Sequence, residues 1–68
     1  MSYGTFKTIV QGDTYLEIVE NSEEEIGLLL EIDRESISKY ATYELLIEKN
    51  DVFDAEFTYK AEVIARLK

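Results

Sequence analysis

Carboxylates are the side chains best suited to chemistry in this chain, which has 15 Asp and Glu residues but no His and no Cys. Without His the usual general base at neutral pH is missing, and without Cys there are no thiol nucleophiles and few routes to a zinc site. Paired carboxylates can still perform acid–base chemistry if their surroundings separate their pKa values. Glu17 and Glu31 are the candidates, although a solvated charged face is the simpler interpretation. We therefore predict that the protein is not an enzyme.

An acid-rich segment at residues 21–25 raises the question of calcium, which prefers several carboxylate oxygens as ligands. The spacing of Glu23, Glu24 and Glu25 does not match an EF-hand loop, and the segment has no central glycine. The glycines, Gly4, Gly12 and Gly27, are too far apart to form a phosphate-binding loop. The sequence therefore predicts no metal and no cofactor.

The net negative charge is concentrated in one segment of the chain. Residues 13–35 hold nine acids and one base, so this segment accounts for a net charge equal to the −8 of the whole chain. Such a field repels nucleic acid and anionic membranes and attracts basic protein surfaces. We therefore predict a protein partner with a basic surface, and no direct binding to nucleic acid or membranes. The predicted contact residues are Glu17, Glu20, Glu23, Glu24, Glu25, Glu31, Asp33 and Glu35.

Some acidic residues of the chain have the spacing of a row along a β-strand. Alternate residues of a strand lie on one face about 6.6–6.8 Å apart. Asp54 and Glu56 have this spacing, as do Glu31, Asp33 and Glu35. Such a row can imitate a phosphate backbone in the basic groove of a protein that handles nucleic acid. The predicted function is therefore a non-enzymatic, acidic protein-binding module, an inhibitor or decoy. Charge that only maintains solubility is the plainer alternative.

A structural role is the other prediction. The chain of 68 residues is read as one small domain, residues 1–68, and a chain this short buries only about 60% of its unfolded surface. Apolar residues on both faces of the predicted sheet favour a homo-oligomer with no inhibitory role. The lack of Cys, and a beginning unlike a signal peptide, predict the cytoplasm.

The clearest periodic pattern is in the C-terminal residues 53–68. Every odd position there is apolar, and every even position except Ile64 is polar. This period of two predicts a long strand with one buried face. A helix over the last ten residues is the alternative, because Phe57, Ala61 and Ile64 would share one helical face.

The N-terminal half predicts three strands, Tyr3–Val10, Thr14–Glu20 and Ile26–Ile32. Gln11-Gly12-Asp13 forms a hairpin loop in this interpretation, with Gly12 available for a left-handed conformation. Residues 21–25 form the second loop. One face of this meander would be the core, with Phe6, Val10, Leu16, Ile18, Ile26, Leu28, Leu30 and Ile32.

Residues 34–49 fit two structures. A helix could begin at Asp33 or Ser36, but Glu44 and Glu48 would then fall on its apolar side. A strand fits better because Ala41, Tyr43, Leu45 and Ile47 alternate with mostly polar residues, followed by a turn at 49–52. The predicted fold is mainly β, a five-stranded antiparallel meander forming a small barrel or sandwich. The alternative is α+β, with a three-stranded meander, one helix at about 34–49 and a C-terminal strand.

Overall fold

One long helix lies across a three-stranded sheet in the computed structural model, which describes residues 4–51 and 56–68. The sheet is antiparallel, with the C-terminal strand in the centre and strand order β1-β3-β2. A short 3₁₀ turn, Arg34–Ser36, leads into the second helix. The elements are β1 (Thr5–Gly12), α1 (Tyr15–Leu30), α2 (Ile37–Tyr40), β2 (Ala41–Lys49) and β3 (Tyr59–Leu67).

The prediction of a five-stranded, mainly β barrel or sandwich is wrong, because the described residues form an α+β fold with three strands and two helices. The protein is therefore not all-β. The α+β alternative has the correct class, but its helix at about 34–49 is misplaced, since most of that range is β2. The long helix instead covers residues that were predicted to be two strands and a loop.

Helix α1 has a start signal that the strand interpretation overlooked. The Thr14 hydroxyl accepts a hydrogen bond from the backbone N–H of Glu17 at 3.1 Å, which caps the first turn. Thr14 and Glu17 also have the spacing of a capping box. Ile18, Ser22 and Ile26 follow at four-residue intervals, and each is fully buried. The predicted core residues Leu16 and Leu28 are instead 67% and 68% exposed, because both point away from the sheet.

The three strands of the structure correspond to the first, fourth and fifth predicted strands. β3 begins at Tyr59, so Phe57 lies before the strand. The predicted positions Tyr3 and 52–55, including Asp54, lie outside the described residues. Alternation predicted the strands well because one face of the sheet is buried against α1 and the other is solvated.

The core lies between α1 and one face of the sheet. Val10 of β1 is opposite Ala61 of β3, which is in turn opposite Ile47 of β2. The Ser22 hydroxyl, buried in the same layer, donates a hydrogen bond to the Ile18 carbonyl at 2.7 Å, so its burial leaves no orphaned group. The buried apolar cluster comprises Val10, Ile18, Ile26, Ile37, Ala61, Val63 and Ala65.

Gly12 allows the chain to pass closely from β1 into α1. A Cβ atom at this position would lie 2.9 Å from the Glu17 Cβ and 3.3 Å from the Ile18 nitrogen. The prediction that Gly12 supplies a left-handed conformation is wrong, because its φ is not positive. Next to it, an Asp13 carboxylate oxygen accepts hydrogen bonds from the Thr58 N–H at 3.0 Å and hydroxyl at 3.3 Å. This contact ties the start of α1 to the approach to β3.

Candidate protein-binding surface on helix α1

The solvent face of α1 carries three of the predicted contact residues. Glu17, Glu20 and Glu24 are all exposed. Their spacing of three and four residues places them on one side of the helix, away from the buried Ile18 and Ile26. They cover about 10 Å along the axis at a rise of 1.5 Å per residue. Thus this face presents a row of carboxylates, but on a helix rather than on a strand.

The end of α1 adds two more carboxylates to this surface. Glu31 ends the helix in a left-handed conformation, with φ 58°, and the following Ile32 N–H donates to the Gly27 carbonyl at 3.0 Å. This reversal brings Asp33 back towards the helix. Glu24, Glu31 and Asp33 consequently line one shallow depression together with Arg34. We call the exposed residues Glu17, Glu20, Glu24, Glu31 and Asp33 the acidic surface.

Glu23 and Glu35 lie on another side of the helix layer, by which we mean residues 13–35. There the positive charge of Arg34 offsets part of their negative charge. Arg34 Nη2 is 3.0 Å from a Glu23 carboxylate oxygen, in a half-exposed ion pair. The hydrogen bond to Glu23 raises the pKa of Arg34, burial partly opposes this, and the charges of Glu23, Glu20 and Glu35 add to the rise. Glu23 and Glu35 are therefore weaker candidates for contact with a basic partner.

Tyr43 of β2 lies in the same pocket as Glu23 and Arg34. Burial is the main reason that the pKa of Tyr43 is raised, and the charge and hydrogen bonding of Glu23 raise it further. Sequence reasoning assigned no role to Arg34 or Tyr43. Arg34 is the single base within residues 13–35. This was the available signal that it would form an ion pair with one of the surrounding acids.

Glu25, the last predicted contact residue, is half-buried and faces the edge of β1 rather than the acidic surface. The eight predicted residues therefore do not form one site. Five lie on the acidic surface, two lie beside Arg34, and one lines a groove along β1.

The suggested pair of carboxylates is not brought together in the structure. Glu17 and Glu31 lie at opposite ends of α1, roughly 20 Å apart along its axis at the helical rise, so they cannot act on one substrate group. The predicted strand row of Glu31, Asp33 and Glu35 is wrong, because these residues run from the end of α1 into the 3₁₀ turn. Within 4–51 and 56–68, no group of three acidic side chains is arranged to hold a metal ion.

The sheet differs from the helix layer in its charge. Its three strands hold four basic and three acidic residues. Two cross-strand ion pairs lie on its open face, Lys60 with Glu48 at 3.3 Å and Arg66 with Glu44 at 2.6 Å. Between the strands and α1, the excess of acidic residues therefore lies on α1.

Comparisons with known proteins give no family or relative: no family model matches the chain, and neither the curated proteins nor the solved structures include a significant match. In the part of the chain that the structure describes, no helix is long and apolar enough to cross a membrane. Any functional assignment must therefore come from the surfaces of the molecule itself.

Proposed function

We propose that this protein is a non-enzymatic binding module of the cytoplasm, whose acidic surface engages a basic surface of a protein that handles nucleic acid. The observation that carries the proposal is the exposed row of Glu17, Glu20 and Glu24, which continues into Glu31 at the helix end. Aligned carboxylates on a rigid helix can occupy a groove built for phosphates. The protein would then act as an inhibitor or decoy.

Electrostatics supports this proposal because the charges are separated within the molecule. A partner approaching α1 meets the acidic surface, whereas one approaching the sheet meets a nearly balanced set of charges. Charges of one sign increase the rate of encounter and orient the partner. The sheet side then remains free for other contacts.

The experiment is a pull-down from nuclease-treated lysate of the native host, at low and at high salt, with mass spectrometry of the retained proteins. The variant carries Glu17→Gln, Glu20→Gln and Glu31→Gln, and we call it the outer-face triple. Its matched control is the sheet triple, Glu44→Gln, Glu48→Gln and Glu62→Gln, which removes the same number of charges. Gln at position 17 keeps the capping-box residue type.

We expect a basic partner to be retained at low salt and released at high salt. The outer-face triple should lower its retention by about tenfold or more, because a loss of about 1.4 kcal/mol over three contacts is sufficient. The sheet triple should retain it. Equal losses in both triples would show that only the net charge matters, and the proposal would then be wrong.

A structural homo-oligomer is the second candidate, and the open face of the sheet favours it. Ile9 is 67% exposed and Leu46 is 56% exposed on this face, with Glu62 opposite both, and the half-buried Ile64 lies two residues further along β3. A second copy could cover these side chains while the acidic helices point outwards. Sedimentation of the protein and of Leu46→Lys tests this. A dimer that the substitution dissociates supports it, and a monomer at all concentrations excludes it.

A further inference from the structure

The outer edge of β1 pairs with no other strand in the part of the chain that the structure describes. The other edge of β1 pairs with β3. Because the Leu67 N–H donates to the Gly4 carbonyl, the even-numbered residues of β1 exchange hydrogen bonds with β3. The N–H and C=O groups of Thr5, Lys7 and Ile9 therefore point away from the sheet.

A side chain of α1 already captures the next outward group along this edge. Asn21 Nδ2 donates a hydrogen bond to the Gln11 carbonyl at 2.7 Å. This contact confirms the direction of the odd-numbered carbonyls and occupies one end of the edge. The stretch from Thr5 to Ile9 remains, about 13 Å of strand at 3.3 Å per residue.

A groove follows this stretch, with β1 as one wall and the C-terminal half of α1 as the other. It consists of two adjoining parts, of about 570 Å³ and 270 Å³. Glu25 lines both parts, and Glu24 lines the part beside Gln11. Three exposed, large apolar residues line the groove on the α1 side, namely Leu28, Leu29 and Leu67, and Ile9 borders it with its side chain on the open face of the sheet.

We infer that this groove binds an extended segment of the partner protein by β-strand addition to β1. The segment would carry apolar side chains against Leu28 and Leu29 on the α1 side of the sheet, and a Lys or Arg on the same side beside Glu24 and Glu25. Main-chain hydrogen bonds supply affinity in this mode, and pockets for alternate side chains supply selectivity. The inference rests on the proposed function, because it states how a basic partner is held after the acidic surface has attracted it.

Charge favours a basic segment over a second copy of this chain as the occupant. Among the residues that line the groove, the two carboxylates, Glu24 and Glu25, outnumber the one base, Lys7, so two such edges facing one another would both be net acidic. Like charges facing one another destabilise such a pairing. A Lys or Arg in the same place would neutralise them.

The test begins with a displayed library of random nine-residue peptides selected against the full chain. We expect enrichment of sequences in which apolar residues alternate with other residues and a Lys or Arg recurs at one position. The strongest peptide is then synthesised with a fluorescent label, and its affinity is measured by anisotropy. If no peptide is enriched over the empty support, the inference is overturned.

Ile9→Pro removes an outward N–H without removing a hydrogen bond to β3, which is the type of edge position that tolerates proline. We expect it to weaken binding of the selected peptide by about tenfold or more, since about 1.4 kcal/mol is tenfold. The control Ile9→Val retains the N–H and an apolar side chain and should bind within about twofold, because it removes one methylene from a side chain that is 67% exposed. Amide NMR spectra of both variants verify the fold.

Peptide chemistry provides a second test that does not depend on a variant folding. N-methylation of alternate amides on the edge that pairs with β1 should abolish binding. The same modification on the opposite edge should leave binding unchanged. Equal effects of the two modifications would exclude strand addition.

The two proposals can fail separately. If a partner found by pull-down loses its binding to the outer-face triple but not to Ile9→Pro, the acidic surface is the binding site and the groove is not. If Ile9→Pro alone abolishes capture, the groove is the site and the acidic surface proposal is wrong.

Discussion

The helix layer and the sheet layer carry opposite kinds of surface. Residues 13–35, most of which form α1, hold nine acids and one base, whereas the strands hold four bases and three acids, two of each in cross-strand ion pairs. The outer side of α1 is polar except for leucines, and the open sheet face mixes charges with Ile9 and Leu46. One layer is therefore suited to attract a basic surface, and the other to pair with a chain of balanced charge.

The two sides of α1 also differ in how closely their residues are packed. α1 approaches the sheet through small residues, with Ser22, Ala61 and Ala65 all buried and Gly12 below the first turn. The charged groups of α1 remain on the opposite side, where water solvates them. Stability thus depends on the inner side of the helix, and the proposed binding depends on the outer side.

The largest expected effect tests this division within α1. Ile18→Ala deletes a fully buried side chain and should lower the free energy of unfolding by about 2–5 kcal/mol. Leu16→Ala changes a side chain that is 67% exposed and should cost less than about 0.5 kcal/mol. Urea denaturation measures both. Similar losses would mean that α1 is rotated relative to the sheet.

A smaller effect is expected where the layers approach most closely. Gly12→Ala would place a methyl group 2.9 Å from the Glu17 Cβ and near the backbone of Ile18. Part of the first turn of α1 must then move, and overpacking of this kind costs about 1–3 kcal/mol. Lys7→Ala, on the exposed side of the same strand, serves as the control. A free energy of unfolding for Gly12→Ala equal to that of the unsubstituted protein would contradict the close approach of β1 and α1.

The strands and α1 differ in how well the sequence predicted them. Alternation identified the strands around Val10, Ile47 and Val63, because a sheet covered on one side imposes a period of two. It failed in α1, because Leu16 and Ile18, two residues apart, also fit the pattern of a short strand. The helix is indicated instead by Ile18 and Ile26, which are eight residues apart. The polar Ser22 at a core position hid the helical period. The Thr14–Glu17 capping box was the signal that could have corrected it.

The candidate site was predictable in its residues but not in its arrangement. Charge counting identified the acids of residues 13–35 directly from the sequence. Their separation into the acidic surface, the Arg34 pair and the β1 groove depends on the helix, which places residues three and four apart on one side. Glu23 pairs with Arg34 whereas Glu24 lies on the acidic surface, although the two are adjacent in the chain.

A stabilising effect is expected at the end of the helix layer. Glu31 has a φ of 58°, which costs a non-glycine residue about 1–2 kcal/mol. Glu31→Gly should relieve this strain and raise the free energy of unfolding by up to about 1 kcal/mol, part of the gain being offset by the more flexible unfolded chain. Glu31→Gln removes the same charge but keeps the Cβ atom. A gain in Glu31→Gln equal to that in Glu31→Gly would assign the effect to charge instead.

The smallest effect concerns the contact between the layers at Tyr43. Its raised pKa means that the folded protein favours the neutral phenol. The associated stability is fully present below the ordinary Tyr pKa of about 10 and is lost as pH rises through the raised pKa. Ultraviolet titration of Tyr43→Phe should lose a phenol that ionises above the ordinary Tyr pKa of about 10. In Glu23→Gln the Tyr43 pKa should fall.

The most direct test of the separation between the layers is a titration of the isotope-labelled protein with a lysine decapeptide, followed by amide NMR at low and at high salt. We predict shifts concentrated at Glu17, Glu20, Glu24 and Glu31, which disappear at high salt, while Glu44, Glu48 and Glu62 change little. Equal shifts on both sets of residues would contradict the assignment of the binding surface to the helix layer.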